Sequence, residues 1–215
     1  MAKSIKDGKL LYHLTSIDNL ENILNNGLLS RKEALDKELL KSDIADPEII
    51  ARRKELGIDD CVPFHFYGQT PFAGAVLKAP ANKNKRFCFI TITRDFAKEQ
   101  DFKICTAHPL SPKAEIKSYK DGFKTIDWEN AEKRDYNDEI SKNACMAECL
   151  ATSPVMSKDF SFIYVSNEAN KKSIENIIEK SIKIKNRKIK SKLPFKPMHT
   201  FSQNPKMTVW REKND

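Results

Sequence analysis

The sequence predicts an α+β fold, and three observations predict it. Residues 86–94 (RFCFITITR) and 160–166 (FSFIYVS) have the β-branched and aromatic content of well-packed strands. Helical segments with readable caps lie among the strands, the best marked opening at Asp46-Pro47. No internal repeat and no low-complexity linker divides the 215 residues. One domain, 1–215, is therefore expected, with a basic C-terminal extension from about residue 168. A domain of this size buries about 70% of its unfolded surface, enough for a core without disulfide or metal staples.

The elements follow in order. Residues 9–15 (KLLYHLT) predict a strand, and Ser16 and Asp18 can cap a helix over 18–26 whose Leu20, Ile23 and Leu24 form an apolar stripe. Asn26-Gly27 supplies a left-handed-tolerant stop. A more charged helix is predicted over 31–41, with Ala34, Leu35 and Leu39 inward. A third runs from Asp46-Pro47 to Gly57. CVPFHFY (61–67) alternates as a strand does, Gly68 to Pro71 break it, and 72–77 form a short helix or another apolar segment. Short strands are predicted near 102–106 and 114–119, flanking a turn at His108-Pro109. The polar stretch 121–137 reads as a structured loop, and 139–151 as strand or helix. A helix is predicted over 168–181, and LPFKPMHTF (193–201) as extended chain.

Composition narrows the function. Charged residues make up 32% of the chain and hydrophobic ones 40%, and no run of 18 apolar residues occurs, so no membrane helix is expected. The first residues, MAKSIKDGKLLYHL, lack an apolar signal core. The five cysteines are odd in number and sit in apolar segments, which suits reduced thiols and a cytoplasmic location. A net charge of +8 fits either a polyanionic partner or a lysine-rich surface with no partner. Residues 171–192 hold nine basic and two acidic side chains. Phosphate loops, dinucleotide-fold glycine fingerprints, H-E-x-x-H and C-x-x-C are all absent, and Cys145 and Cys149 have no nearby His or second Cys pair; no metal is expected.

Three residues stand out chemically. Glu148 lies in ACMAECLA, where every other residue is small or apolar. A carboxylate there either points out from an edge or is held in a pocket by partners, because unpartnered burial would cost several kcal/mol. His13 sits at a strand end before a capped helix, a place where ligands bind and where an ordinary half-buried histidine also fits. Arg53, within ARRKELG, reads equally as a solvated helix face.

In order, these pieces resemble the DarT family of DNA ADP-ribosyltransferase toxins. YHLTSIDNLENILNNGLL is similar to the family's opening Y-H-x-T-x-x-x-N-L-x-x-I-L-x-x-G. EIIARRKELG carries an arginine matching the family's NAD-binding element. VPFHFYGQTPF is similar to V-P-F-x-F-x-x-x-x-P, and MAECLATSPV to the segment with the catalytic glutamate. The resemblance spans residues 11 to about 166.

It implies an ADP-ribosyltransferase-like fold with a split, two-sheet β core, peripheral helices and NAD in the cleft. Glu148 and Arg53 would be catalytic; His13, Leu14, Thr15, Asn22, Gly27 and Arg53 would bind NAD. The substrate would be a base in single-stranded DNA. Lys120, Lys124, Lys133 and Arg134 are expected on its backbone, with Phe123, Trp128 or Tyr136 as stacking faces. His65 and Gly68-Gln69 replace residues more often aromatic and arginine in thymidine-modifying members, and CMAECL departs from Q-A-E-F-L. This wording is closer to the guanine-modifying branch, so guanine is favoured over thymine. A macrodomain antitoxin that removes the modification is implied, and a monomer is expected. Two other readings stay open: transfer to RNA or protein, and a non-enzymatic nucleic-acid-binding domain.

Overall fold

In the computed structural model, residues 4–190 and 208–209 are described. The strands among them are β1 (Leu10–Ser16), β2 (Val62–His65), β3 (Phe87–Thr93), β4 (Lys103–Cys105), β5 (Ile116–Lys117), β6 (Glu148–Ala151), β7 (Phe162–Val165) and β8 (Thr208–Val209). The helices are α1 (Leu20–Asn26), α2 (Arg31–Asp36), α3 (Pro47–Glu55), α4 (Pro71–Lys78) and α5 (Arg94–Glu99), then α6 (Tyr119–Thr125), α7 (Trp128–Lys133), α8 (Glu139–Cys145) and α9 (Glu168–Lys190). The segment 193–201 lies outside the described residues.

The strands form a sheet in the order β5-β4-β6-β2-β1-β3-β7-β8, antiparallel except for the β7–β8 pair. Its right half is built on β1 and β3, paired from Leu10–Thr93 to Ser16–Phe87, with β7 beside β3. Its left half is β5, β4, β6 and β2. The halves meet at a single register pair, Tyr12–His65. This is the split expected of the core, although the two halves remain one hydrogen-bonded sheet. Pro63 explains why the ladder stops. Its carbonyl faces β1, so the N–H that proline lacks is missing on that same side, where a central strand would need it.

Strand alternation gives the sheet two unlike faces. On one, a continuous core joins Leu11, Phe64, Ile90, Ile92, Ile104 and Cys149 to residues from α1, α6, α7 and α9. On the other, the core is divided. One cluster holds Leu14, Ala73, Val76, Phe87 and Phe89; another holds Ile58, Cys61, Cys105 and Leu150. The gap between these clusters lies over the split.

Several expectations change. The helix predicted over 31–41 ends at Asp36, because Glu38 adopts a left-handed φ of 54° and Leu39 N–H returns to the Ala34 carbonyl; Leu35 is 43% exposed rather than inward. The predicted loop 121–137 holds α6 and α7, capped by Ser118 and Asp127. Residues 139–151 supply both alternatives in turn, helix α8 and then strand β6.

Candidate active site

The divided face opens into a cavity of about 460 Å³. β1 brings His13, Leu14 and Thr15 to it, the short turn before α1 brings Asn19, α1 brings Asn22, and Gly27 ends that helix beside it. Arg53 enters from α3, His65 from β2, and Glu148 from β6. The sheet therefore gathers all six residues expected to contact NAD, together with Glu148. Gly27 has φ 89° and packs against Val155 and Met156, a conformation that favours glycine.

Glu148 is 4% exposed and forms an ion pair with Nη2 of Arg53. Of the two options open in the sequence, it takes the pocket. Its neighbours on the adjoining strands are His65 and Cys105. Arg53 occupies the last turn of α3, where the helix dipole favours a cation. Its side chain is 12% exposed, so it is not a solvated face, and its Nη1 is buried without a hydrogen-bond partner among the described residues. A guanidinium carries five N–H donors in a fixed fork. The Glu148 carboxylate takes Nη2, and Arg53 as a whole lines the cavity wall.

His13 fills the seam between the half-sheets. Its Nδ1 lies 2.8 Å from the Pro63 carbonyl, in the place where a ladder hydrogen bond would otherwise run. A carbonyl only accepts, so Nδ1 carries the proton and Nε2 is a bare acceptor. Burial lowers the His13 pKa to about 4, the Pro63 carbonyl opposing, so the ring is neutral near pH 7. It can position a ligand but holds no proton to give.

Residues 31–55 form a cap over the cavity. Neither α2 nor α3 has a buried residue, but Leu39, Ile44, Ile49 and Ile50 line the cavity from above. Two asparagines of the first motif fasten this cap. Asn19, 4% exposed, accepts from the N–H groups of Lys41 and Ser42, both at 2.9 Å, and donates to the Ser42 carbonyl at 2.8 Å. Asn22 donates to the Leu39 carbonyl at 2.7 Å, so its amide nitrogen is committed to the protein. On the other side, Arg52 Nε donates to the Pro109 carbonyl at 3.3 Å.

Sequence reasoning missed several contributors. Asn19 was visible only as one letter of the resemblance. His108 was read as part of a turn. It lines the cavity and its Nδ1 accepts from Leu110 N–H at 3.3 Å; burial lowers its pKa, with Glu148 opposing. Phe72 and Met146 line the same wall.

The expected DNA contacts fare differently. Trp128 is not a stacking face: it is 8% exposed, packs edge-on against Phe66 at 5.1 Å, and donates its indole N–H to the Phe123 carbonyl. Phe123 belongs to the same aromatic cluster. Lys120 and Lys124 are exposed on α6, which packs on Ile104 and so covers the face opposite Glu148. Lys133 bonds Asn130. Arg134 stacks over Tyr67, whose hydroxyl meets that of Tyr136, and Tyr136 donates to the Gln69 carbonyl. None of these lysines and arginines lines the cavity.

Known proteins share this architecture. The DarT of Thermus sp. 2.9, solved in complex with ADP-ribosylated single-stranded DNA, superposes with a TM-score of 0.72 at 20% identity, over 85% of this chain and 93% of that one. The same protein solved with NAD+ gives 0.65 at 17% identity, over 81% and 90%. In sequence, the chain is 26% identical over 216 residues to a DNA ADP-ribosyl transferase-DNA ADP-ribosyl glycohydrolase fusion protein of Thermosipho africanus. That match takes in 95% of this chain and 52% of the relative, so the chain spans about half the relative's length. The family model described as DarT, ssDNA thymidine ADP-ribosyltransferase, matches residues 12–200. With that match over most of its length, the chain belongs to the DarT family.

Proposed function

We propose that this chain transfers ADP-ribose from NAD to a base of single-stranded DNA, with guanine as the target, and that it acts in the cytoplasm as a toxin. The observation that carries the reading is a carboxylate 4% exposed, paired with Arg53, in one cavity with His13. The relatives solved with NAD+ and with ADP-ribosylated DNA, and the family description itself, support the reaction class. That description names thymidine. Guanine is proposed on the local departures at His65, Gly68-Gln69 and CMAECL.

In this mechanism the bond from ribose C1″ to the nicotinamide nitrogen breaks, and the electron pair leaves with neutral nicotinamide. The transition state carries positive charge on the ribose, and a fixed carboxylate next to it lowers the barrier. Glu148 fills that role. A nitrogen of the base gives its lone pair to C1″ and then loses one proton, which Glu148 accepts and passes to water. His13 and Thr15 hold NAD by geometry, with Leu14, Asn22 and Gly27 completing that wall. Arg53 stays charged; it grips phosphate or polarises the base and removes no proton.

For the DNA strand, the supported path runs along the rim formed by Arg134, Tyr136 and Gln69, since the chain passes from there into Phe72 of the cavity wall. Lys133 adjoins this rim, whereas Lys120 and Lys124 would meet only a strand that wraps around the sheet edge. The fusion relative joins transferase to glycohydrolase, which supports a macrodomain partner that reverses the modification.

Labelled NAD incubated separately with single-stranded DNA, RNA and protein tests the reading. Label is expected in DNA alone, and Glu148→Gln is expected to lower it by roughly 10²–10³-fold with the fold intact. An undiminished rate in that variant sinks the mechanism; label in RNA or protein instead of DNA sinks the substrate assignment.

A further inference from the structure

The catalytic cavity does not exhaust the divided face of the sheet. A second recess, of about 270 Å³, lies over the right half, between the end of α4, the loop before β3 and the end of β7. Leu14 lines both spaces. So does α4: Phe72 in its first turn lines the cavity, and Leu77 in its last turn lines the recess. Five helical residues are about 7.5 Å along the axis, so the two spaces are close neighbours. The charge of the recess is one-sided. Lys83, Lys85 and Arg86 line it, and among the described residues no acidic side chain does. Arg86 donates to the Ser173 hydroxyl at 3.0 Å and lies 3.7 Å from Asp18, so it lends its charge from a fixed position. Lys83 and Lys85 are exposed, each a point charge on a flexible stem. The floor is aromatic. Phe89 and Tyr164 form it, and Tyr164 continues into a strip of half-buried rings, 6.1 Å from Tyr12 and 5.9 Å from Phe162.

We propose that this recess is a DNA subsite, which takes a nucleotide flanking the target base, with phosphates on Lys83 and Lys85 and the base against Tyr164. This rests on the reading that the cavity transfers ADP-ribose to single-stranded DNA. Cations beside aromatic rings suit such a strand, because the cations follow its backbone while the rings stack any base. Three cations unopposed by a lining carboxylate also draw phosphate in from a distance. The place fits the strand as well. Gln69 of the rim immediately precedes the cap of α4, and the recess adjoins the other end of that helix. A strand that passes from the rim to Phe72 therefore reaches the recess by tracking α4 for less than two turns. Held at both ends of one helix, the strand keeps its target base at the cavity without any demand on the neighbouring sequence.

The test uses the whole chain with Lys83→Gln and Lys85→Gln together, and separately with Tyr164→Leu. A control pair, Lys98→Gln with Lys158→Gln, removes two exposed charges that line neither space. The probe is a long single-stranded DNA oligonucleotide, and the readouts are its KM, the salt dependence of that KM, and the KM for NAD. The Lys83/Lys85 variant is expected to raise the DNA KM about tenfold and to flatten the slope of log KM against log salt by about 1.4, the effect of two lost phosphate contacts. Tyr164→Leu is expected to raise the DNA KM about fivefold or more with the slope kept, the loss of one stacked base. The KM for NAD is expected to stay at the wild-type value in both. A wild-type DNA KM in either variant overturns the proposal. An equal loss in the control pair also overturns it, since overall charge would then be the cause. So does a raised KM for NAD, because the recess would then serve the dinucleotide. Wild type that labels no DNA removes the underlying reading instead.

Discussion

Residue-scale chemistry in the cavity turns on groups whose charge is set by burial. His13 titrates near 4 against an unperturbed 6.5. Between those values the unfolded chain binds a proton that the folded chain refuses, so this contribution to stability is complete above about pH 6.5 and lost as pH falls toward 4. Burial lowers His65 and His108 in the same direction. Thermal melts from pH 7 to pH 4.5 are expected to show a falling midpoint, with a shallower fall in His13→Gln; an identical slope in that variant removes His13 from the effect. At this scale the sequence was readable where a residue contradicted its neighbours. Glu148 inside an apolar run marked a carboxylate that had either to leave the core at an edge or to find partners, and it finds Arg53. Trp128 misled for the converse reason: an aromatic in a polar stretch looked available, yet it anchors α7 to the core. His108 gave no signal, because its place in the cavity wall exists only once distant segments of the chain are brought together.

Elements carry two further expectations. The cap over the cavity has no buried residue of its own in α2 or α3, so its position depends on polar staples. Asn19→Ala removes three hydrogen bonds to residues 41 and 42 at a cost of about 1–3 kcal/mol. Faster amide exchange at Lys41 and Ser42 and weaker NAD binding are expected, and unchanged exchange there would detach Asn19 from the cap. On the far face, a methyl group added at Gly122 would lie 2.4 Å from Cβ of Ile104. Gly122→Ala is expected to destabilise the fold by about 1–3 kcal/mol through overpacking. NAD turnover measured well below its melting temperature should match wild type, since α6 lies across the sheet from Glu148. Long strands with strong β-branched content were readable from sequence, as β3 and β7 show. α6 and α7 were not, because seven and six residues give less than two full turns of periodicity. The overlong reading of 31–41 has a related cause: apolar spacing continues through Leu39, and only the backbone reversal at Glu38 stops the helix.

At the scale of the whole molecule, the sheet's division could not be read from the sequence. CVPFHFY read as an ordinary alternating strand, and the effect of Pro63 depends on which strand lies beside it, a pairing between distant residues. The chain does not build one half-sheet and then the other. β1 belongs to the right half, β2 to the left, β3 to the right again; β4, β5 and β6 return left before β7 closes the right. Glu148 stands in the last left-hand strand, with β7 still to follow. During translation, where a chain emerges from its N-terminus onward, the carboxylate leaves the ribosome while the sheet that frames its cleft is still missing an inner strand. A chain that ends before β7 therefore holds every residue that lines the cavity, yet lacks a strand that pairs with β3, and it is expected to carry the side chains of the site without a complete sheet to hold them.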